Sequence, residues 1–519
     1  MNRPGDSSPH YFPGSLAGVI ESNLRLHVKV AVFLTVLLTG VLSYGLIVMA
    51  SPDTGSNIKT VYITPTSHYD FGFVDPPDQI RERVARHLDA VLQVAEAHPT
   101  FRWTIESVWQ VNEWLKRAKQ PTSILPKDTE KINRLMNRIK SGQIEISSVW
   151  GSMHTDFMGS EELNLLCYDM ASLKRRYGIS SELAVMDDIP GHPISIPSVL
   201  SDSGVKYLLV GANLFFVGGT SLAPGKVPFY WEGMDGRKVL TWVSQGAFGG
   251  YTEALADFCL DPYSLDPYGT KPICKAVRPN ETKEQSDLEI LDQGVAALLK
   301  RYGDAGYAYD SVLVIWAHDF IEPGNVLNLE RAVSLWNEKR GTPHLKIATP
   351  SEFFRTMEAK YGSQLQTFRG EWSGLWSEAK LHSAQMTAMA KATHDQLPSL
   401  STLWSALATT LKVPFPMGNF SRLYDLLYTY DEHSGAGNLG WPQLNTLSGL
   451  EEQNRQYVGY LRQIQKETDE LKFAGLKSLA EGSGDREVIQ HEANSEFLIV
   501  YNPLSWARSD IVRIPSPVT

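Results

Sequence analysis

The chain has 519 residues, enough for two or three domains of roughly 100–200 residues each. Hydrophobic residues make up 43% and charged residues 20%, a balance that permits a sizeable core and excludes wholesale disorder. The 58 acidic residues outnumber 48 basic ones, and a net charge of −10 argues against nucleic acid as a partner, which would demand a basic stripe.

Residues 1–25 are polar and rich in Pro, Gly and Ser, and they read as a cytoplasmic tail. Val30–Ala50 is uncharged and apolar over about 20 residues, the length that crosses a bilayer of roughly 30 Å. Arg25 and Lys29 precede it and Asp53 follows, a bias that keeps the N-terminus inside. Residues 26–50 are therefore expected to be a transmembrane anchor, with the rest of the chain extracytoplasmic. The small residues around Val48-Met49-Ala50 offer the alternative of a cleaved signal peptide and a secreted protein.

Apolar β-rich runs then alternate with amphipathic helices. The strands expected are 59–64, 101–106, 143–150, 182–186, 205–211, 238–243 and 311–316, with helices over 79–98 and 163–178 among the connections. Such alternation predicts a largely parallel sheet with helices outside, and a closed barrel fits as well as an open sheet. This α/β region, residues 57–355, is the expected catalytic domain. Residues 376–412 and 447–480 read as long helices, so 370–482 is expected to be a helical bundle. After Gly482-Ser483-Gly484 the pattern turns to strands, and 485–519 reads as the start of a β domain that the chain does not complete. Cys259 and Cys274 flank one Pro- and Tyr-containing stretch, and either a disulfide or two thiols suits them.

The polar residues that matter sit where strands end. His68 and Asp70 follow the first strand, Asp187 and Asp188 follow 182–186, and His318 and Asp319 follow 311–316. Catalytic groups in parallel α/β folds gather at the carboxyl ends of strands. A lone Asp after a strand is often only a helix cap; three such endings together point to a site. His68 and Asp70 are two residues apart, so in extended backbone both face one side and can offer nitrogen and oxygen to one metal. Glu106 ends another strand, and His154 and Asp156 follow 143–150; all three are candidates to line a cleft.

These residues resemble glycoside hydrolase family 38, the α-mannosidase family. Ser67-His68-Tyr69-Asp70-Phe71-Gly72-Phe73 is similar to its His-x-Asp-x-Gly-Trp motif, and Asp188-Ile189-Pro190-Gly191-His192 to its Asp-Pro-Phe-Gly-His segment. Ala317-His318-Asp319-Phe320 resembles Asp-Asp-Phe, and Tyr430-Asp431-Glu432-His433-Ser434-Gly435 stands where the family has His-His-Asp-Gly. Tyr501-Asn502-Pro503-Leu504-Ser505-Trp506 looks like the start of its β-sandwich region. The resemblance implies a β/α barrel of the seven-stranded type, a three-helix-type bundle and the beginning of a β-sandwich. It implies one zinc ion on His68, Asp70, Asp188 and His433, Asp188 as nucleophile of a retaining mechanism, and Asp319 as general acid/base. Phe73, Glu106, His154, Asp156 and His318 are the expected substrate contacts, and a glycan or oligosaccharide the expected substrate. The residues leave the oligomeric state open.

Departures fall on the sugar-contacting positions. Phe73 replaces Trp, Ile189-Pro190 replaces Pro-Phe, His318 replaces Asp, and Ala212 stands near an expected Arg. Two rival functions follow. One is a metal-dependent polysaccharide deacetylase, disfavoured because no His-x-x-x-His pair occurs. The other is a membrane-tethered glycan-binding protein without catalysis, disfavoured because every ligand position is kept.

Overall fold

In chain order the strands are β1 (Thr60–Pro65), β2 (Trp103–Ile105), β3 (Ile144–Ile146), β4 (Leu183–Asp187), β5 (Tyr207–Asn213), β6 (Phe229–Glu232), β7 (Lys238–Gly246), β8 (Ser311–Trp316), β9 (His344–Ile347) and β10 (Thr367–Phe368). The computed structural model describes residues 57–119, 129–214, 225, 227–246, 249–265, 272–274, 285–372, 380, 383–435, 447–483 and 500–512. β4, β5 and β8 are buried at every position, as parallel strands covered on both faces must be. β6, β9 and β10 are short and lack an extended apolar run, so sequence patterning passes over them.

The strands assemble as three separate sheets, ordered β8-β1-β9, β10-β6-β7-β5-β4 and β2-β3. This corrects the expected closed barrel: among the described residues no continuous ladder joins the strands. β1 meets β2 through side chains, with Thr64 and Thr104 hydroxyls 3.3 Å apart and Thr66 Oγ1 donating to the Thr104 carbonyl at 2.9 Å. β3 leads to β4 through Ser147, whose hydroxyl accepts from Val185 N at 2.9 Å. Between β7 and β8 a 3-10 turn (Gly250–Thr252) and a π turn (Glu253–Asp257) intervene, and Tyr251 O takes the Ala317 amide at 3.1 Å. β6 runs antiparallel to β7.

The expected membrane segment is not among the described elements. Among the described residues no helix is long and apolar enough to cross a membrane. The run Val30–Ala50 itself lies outside the described residues.

Strand alternation divides the interior into two apolar clusters. Leu183, Val185, Tyr207, Leu209, Leu240 and Trp242 point into one, which also holds β1, β8 and the outer helices. Ala184, Met186, Leu208, Val210, Val239 and Val243 point into the other, which the C-terminal helices complete. The helix Pro77–Ala97 reaches both: Pro77 opens it where no amide donor is needed, and its buried stripe runs from Ile80 and Val84 in the second cluster to Leu88, Val91 and Ala95 in the first. Ser286 and Thr349 each start a helix through a reciprocal box with Glu289 and Glu352. The single helix expected over 163–178 is broken into Ser160–Leu165 and Tyr168–Tyr177, because Leu166 O turns outward to accept Trp150 N at 3.0 Å.

The helices Ala384–Thr410, Met417–Asp431 and Leu447–Ser483 pack on one another. Leu403, Leu407, Leu423, Leu427, Leu461 and Ile464 are buried there, each contributing roughly 1.5–3 kcal/mol by leaving water. Residues 500–512 form no strand, contrary to the expected β region, and 485–499 and 513–519 lie outside the described residues. Cys259 and Cys274 are buried thiols beside Ile290, with Cys274 donating to the Asp261 carbonyl at 3.2 Å.

Candidate metal centre

The β1–β8 ladder sets the first part of the site. Its register continues past the strands as a parallel bridge between His68 and Asp319, with His68 N on His318 O at 3.3 Å and Phe320 N on His68 O at 3.1 Å. His68 and Asp319 therefore sit side by side. The β4–β5 ladder sets the second part. Asp187 pairs with Gly211, and Asp188 N still donates to Gly211 O at 2.8 Å. Asp188 then takes φ 64°, a left-handed conformation that costs a non-glycine residue roughly 1–2 kcal/mol. A Cβ on Gly211 would stand 2.5 Å from Asp187 Oδ1 and 3.0 Å from Tyr251 N, so only glycine admits both neighbours.

The helical region delivers the last part. The helix Met417–Asp431 ends at Glu432, and the next turn places His433 beside the strand ends. His433 N is held by Ser152 O at 2.9 Å. Ser434 Oγ accepts from Phe71 N at 2.8 Å, and the Tyr457 hydroxyl donates to Phe71 O. Gly72, at φ 138°, leaves room for that hydroxyl.

One ligand atom from each of His68, Asp70, Asp188 and His433 lies within 4.8 Å of the others, and all four residues are buried. His433 Nε2 is 3.1 Å from Asp70 Oδ1 and 3.4 Å from Asp188 Oδ2. His68 Nε2 is 3.8 Å and 3.9 Å from those carboxylates, is buried, and makes no hydrogen bond. Behind each imidazole stands a carboxylate. His68 Nδ1 faces Glu106 Oε2 at 3.4 Å, while Glu106 Oε1 accepts from Tyr69 N at 2.9 Å. His433 Nδ1 faces Glu432 Oε1 at 2.5 Å and Ser152 O at 3.2 Å. A carbonyl only accepts, so His433 carries a proton on Nδ1 and turns Nε2 inward. Such outer partners orient metal-binding histidines.

The electrostatics agree with this arrangement. Burial alone would lower the His68 and His433 pKa, but Glu106 and Asp70, and Glu432, Asp188 and Asp70, hold them well above the usual histidine value. Burial raises Asp188 above the ordinary carboxylate range against the pull of His433 and His68. The cluster is short of positive charge.

Of the other sequence candidates, Asp319 is buried and accepts the Tyr251 hydroxyl at 3.0 Å. Glu106 and His154 are buried behind the cluster; His154 Nε2 donates to His433 O at 2.9 Å. Phe73 and His318 are half-buried, and Asp156 is exposed. Three groups escaped the sequence reading. Tyr251 stacks on His68 with ring centroids 4.4 Å apart. Asn213 Nδ2 donates to Asp188 Oδ1 at 2.8 Å. Glu432 braces His433. Asn213 ends β5 and Tyr251 follows β7, so applying the strand-end rule to every strand finds both.

The Glycosyl hydrolases family 38 N-terminal domain matches residues 59–371. Alpha-mannosidase 2C1 of Homo sapiens is 22% identical over 475 residues, covering 89% of this chain and 38% of that protein. Alpha-mannosidase G of Dictyostelium discoideum is 20% identical over 313 residues, covering 59% of this chain and 23% of that protein. The chain thus spans well under half the length of these curated relatives. Among solved structures, an alpha-mannosidase from Enterococcus faecalis V583 superposes with a TM-score of 0.60 at 15% identity, covering 82% of this chain and 43% of that one. At that identity the likeness shows the fold alone. With the family domain matched over more than half of its length, this chain belongs to glycosyl hydrolases family 38.

Proposed function

We propose that the chain holds the catalytic centre of a metal-dependent, retaining glycoside hydrolase acting on α-mannosides. The convergence of His68, Asp70, Asp188 and His433 carries this reading, and the alpha-mannosidase names of the matched relatives support the sugar. The donor set fits a cation on its own terms. His68 Nε2 is an orphaned buried nitrogen aimed at two carboxylates, and two imidazoles with two carboxylates suit zinc. When bound, such an ion supplies positive charge that keeps Asp188 ionised and grips sugar hydroxyls.

The bond-making steps fall to side chains. Asp188 attacks the anomeric carbon, and the new C–O bond forms as the glycosidic C–O bond breaks. Asp319 gives its proton to the departing oxygen. In the second half, Asp319 takes a proton from water, whose oxygen attacks the same carbon and releases Asp188. Two inversions retain the configuration. Asn213 aims Asp188, and Tyr251 aims Asp319. Phe73 and His318 are assigned to the sugar and Asp156 to outer glycan contacts, while Glu106 and His154 act through the histidines behind which they lie.

The test uses the full chain with Zn2+ and a panel of aryl α-glycosides that includes the α-mannoside. Chelator-sensitive release of mannose is expected. An activated fluoromannoside should leave a sugar ester on the peptide containing Asp188. A label elsewhere, or turnover indifferent to chelation, sinks the mechanism; release of acetate from acetylated glycan in place of sugar points to a deacetylase.

A further inference from the structure

Lys380 is buried at 1% exposure, and no step above uses it. Its ammonium donates to three main-chain carbonyls: Tyr430 O, Glu432 O at 3.0 Å and Gly435 O at 2.9 Å. An ammonium has three donors and no acceptor, so these carbonyls use it up. All three belong to the last turn of the helix Met417–Asp431 and the turn that follows, and they bracket His433 on both sides. Positive charge at the carboxyl end of a helix is also where the helix dipole favours it. The Nζ atom stands 4.6 Å over the Tyr430 ring.

Lys380 is itself fixed. Thr387 Oγ1 donates to its carbonyl at 2.7 Å. Thr387 lies 2.7 Å from the Tyr430 hydroxyl; having spent its one proton on Lys380 O, it accepts from Tyr430. The chain of bonds thus closes on the residue whose carbonyl Lys380 holds. From the other side His154 holds the His433 carbonyl itself.

We propose that Lys380 is a positioning residue for the metal centre: it sets the turn that presents His433 Nε2 to Asp70 and Asp188. The turn meets the strand-rich region through one isolated antiparallel bridge, Met153 with Glu432, and three carbonyls gathered on one cation hold the rest of its shape. This rests on the reading of the His68, Asp70, Asp188 and His433 cluster as a metal site.

The experiment measures Zn2+ affinity of the full chain by competition with a chromophoric chelator, and the visible spectrum of the Co2+-loaded protein. Lys380→Met keeps the side-chain bulk and removes all three donors. It is expected to weaken Zn2+ binding roughly 10- to 100-fold, the range for lost outer-shell support, and to alter the Co2+ bands. Lys380→Arg, which restores donors and charge, should return affinity to within about threefold of wild type. A merely structural role lowers the melting temperature equally with and without metal and leaves affinity and spectrum unchanged. If Lys380→Met does not fold, Lys380→Gln, with two donors, is measured instead and should lose about three- to tenfold. Wild-type affinity and spectrum in whichever variant folds overturn the inference. Failure of the wild-type chain to bind either ion instead overturns the metal reading, and this inference with it.

Discussion

Two regions of the molecule build one cluster by different means. His68, Asp70 and Asp188 follow strands whose ladders continue into the site: His68 bridges Asp319, and Asp188 N still bonds Gly211 O. Register places the backbones of His68 and Asp188. His433 follows a helix, and its turn is held by one isolated antiparallel bridge, Met153 with Glu432, and by side-chain bonds from His154 and Lys380. A ladder loses little when one bond goes, because its neighbours keep the register. A turn held by one bridge and a few side-chain bonds has less redundancy. Ligands at strand ends should tolerate changes around them, whereas the turn-borne ligand should depend on each support.

The widest test removes one ligand from each region. His68→Ala and His433→Ala should both lose Zn2+ binding by about a thousandfold or more and lose turnover with it, read by metal content and α-mannoside hydrolysis. A His433→Ala protein that still binds Zn2+ tightly would reduce the helical region to a cover. Asp319→Asn should lower turnover of poorly activated α-mannosides on the order of 10²–10⁴-fold while metal affinity stays. Good leaving groups need no proton, so the loss should shrink with their acidity; a uniform loss would remove Asp319 from the acid role.

Glu106→Gln tests support on the strand side. Loss of the carboxylate behind His68 should weaken Zn2+ binding by about tenfold, the low end of the range for such partners, because the ladder still holds the backbone. A loss larger than that of Lys380→Met would reverse the ranking of the two regions.

The smallest effect is one of pH. Burial holds His87 and His192, in the strand-rich region, down at about 3, so they are neutral when folded. Their folded values lie below the ordinary 6.5. Their contribution is therefore complete above pH 6.5 and is lost as pH falls through that value towards 3. In the helical region burial lowers His394, but Asp431, 3.0 Å from its Nε2, more than offsets this and raises it. That contribution is present at pH below 6.5 and fades as pH rises through the raised folded value. From pH 7.5 to 5, amide exchange corrected for intrinsic rates should accelerate around His87 and His192 and slow around His394. Uniform acceleration would deny the two regions separate electrostatics.

Much of the site was legible in strand endings. An i, i+2 pair after an apolar strand put His68 and Asp70 on one side, and the same logic found Asp188 and Asp319. Asn213 and Tyr251 also stand at or after strand ends, but a neutral amide and a phenol carry no charged pair to mark them. His433 was legible only through its family resemblance, since a histidine in a glycine-rich turn carries no periodic signal. The closed barrel was the largest misreading. Apolar runs report that a strand is buried on both faces, and they are silent on whether its edge meets a ladder or, as between β1 and β2, a threonine hydroxyl.

The sequence by itself determined much that is local: most of the longer strands and helices, and which candidate site residues stand at the strand ends. These follow from side-chain period, proline, capping residues and burial, all short-range. Tertiary structure alone decided what meets across long separations. Lys380 joins a turn 50 to 55 residues onward, Asn213 reaches Asp188 across a strand pair, and Ser152 holds His433 from 281 residues away. Those contacts are made by carbonyls, amides and single polar atoms, which every residue or many residues carry, so no pattern in the chain distinguishes them until packing brings them together.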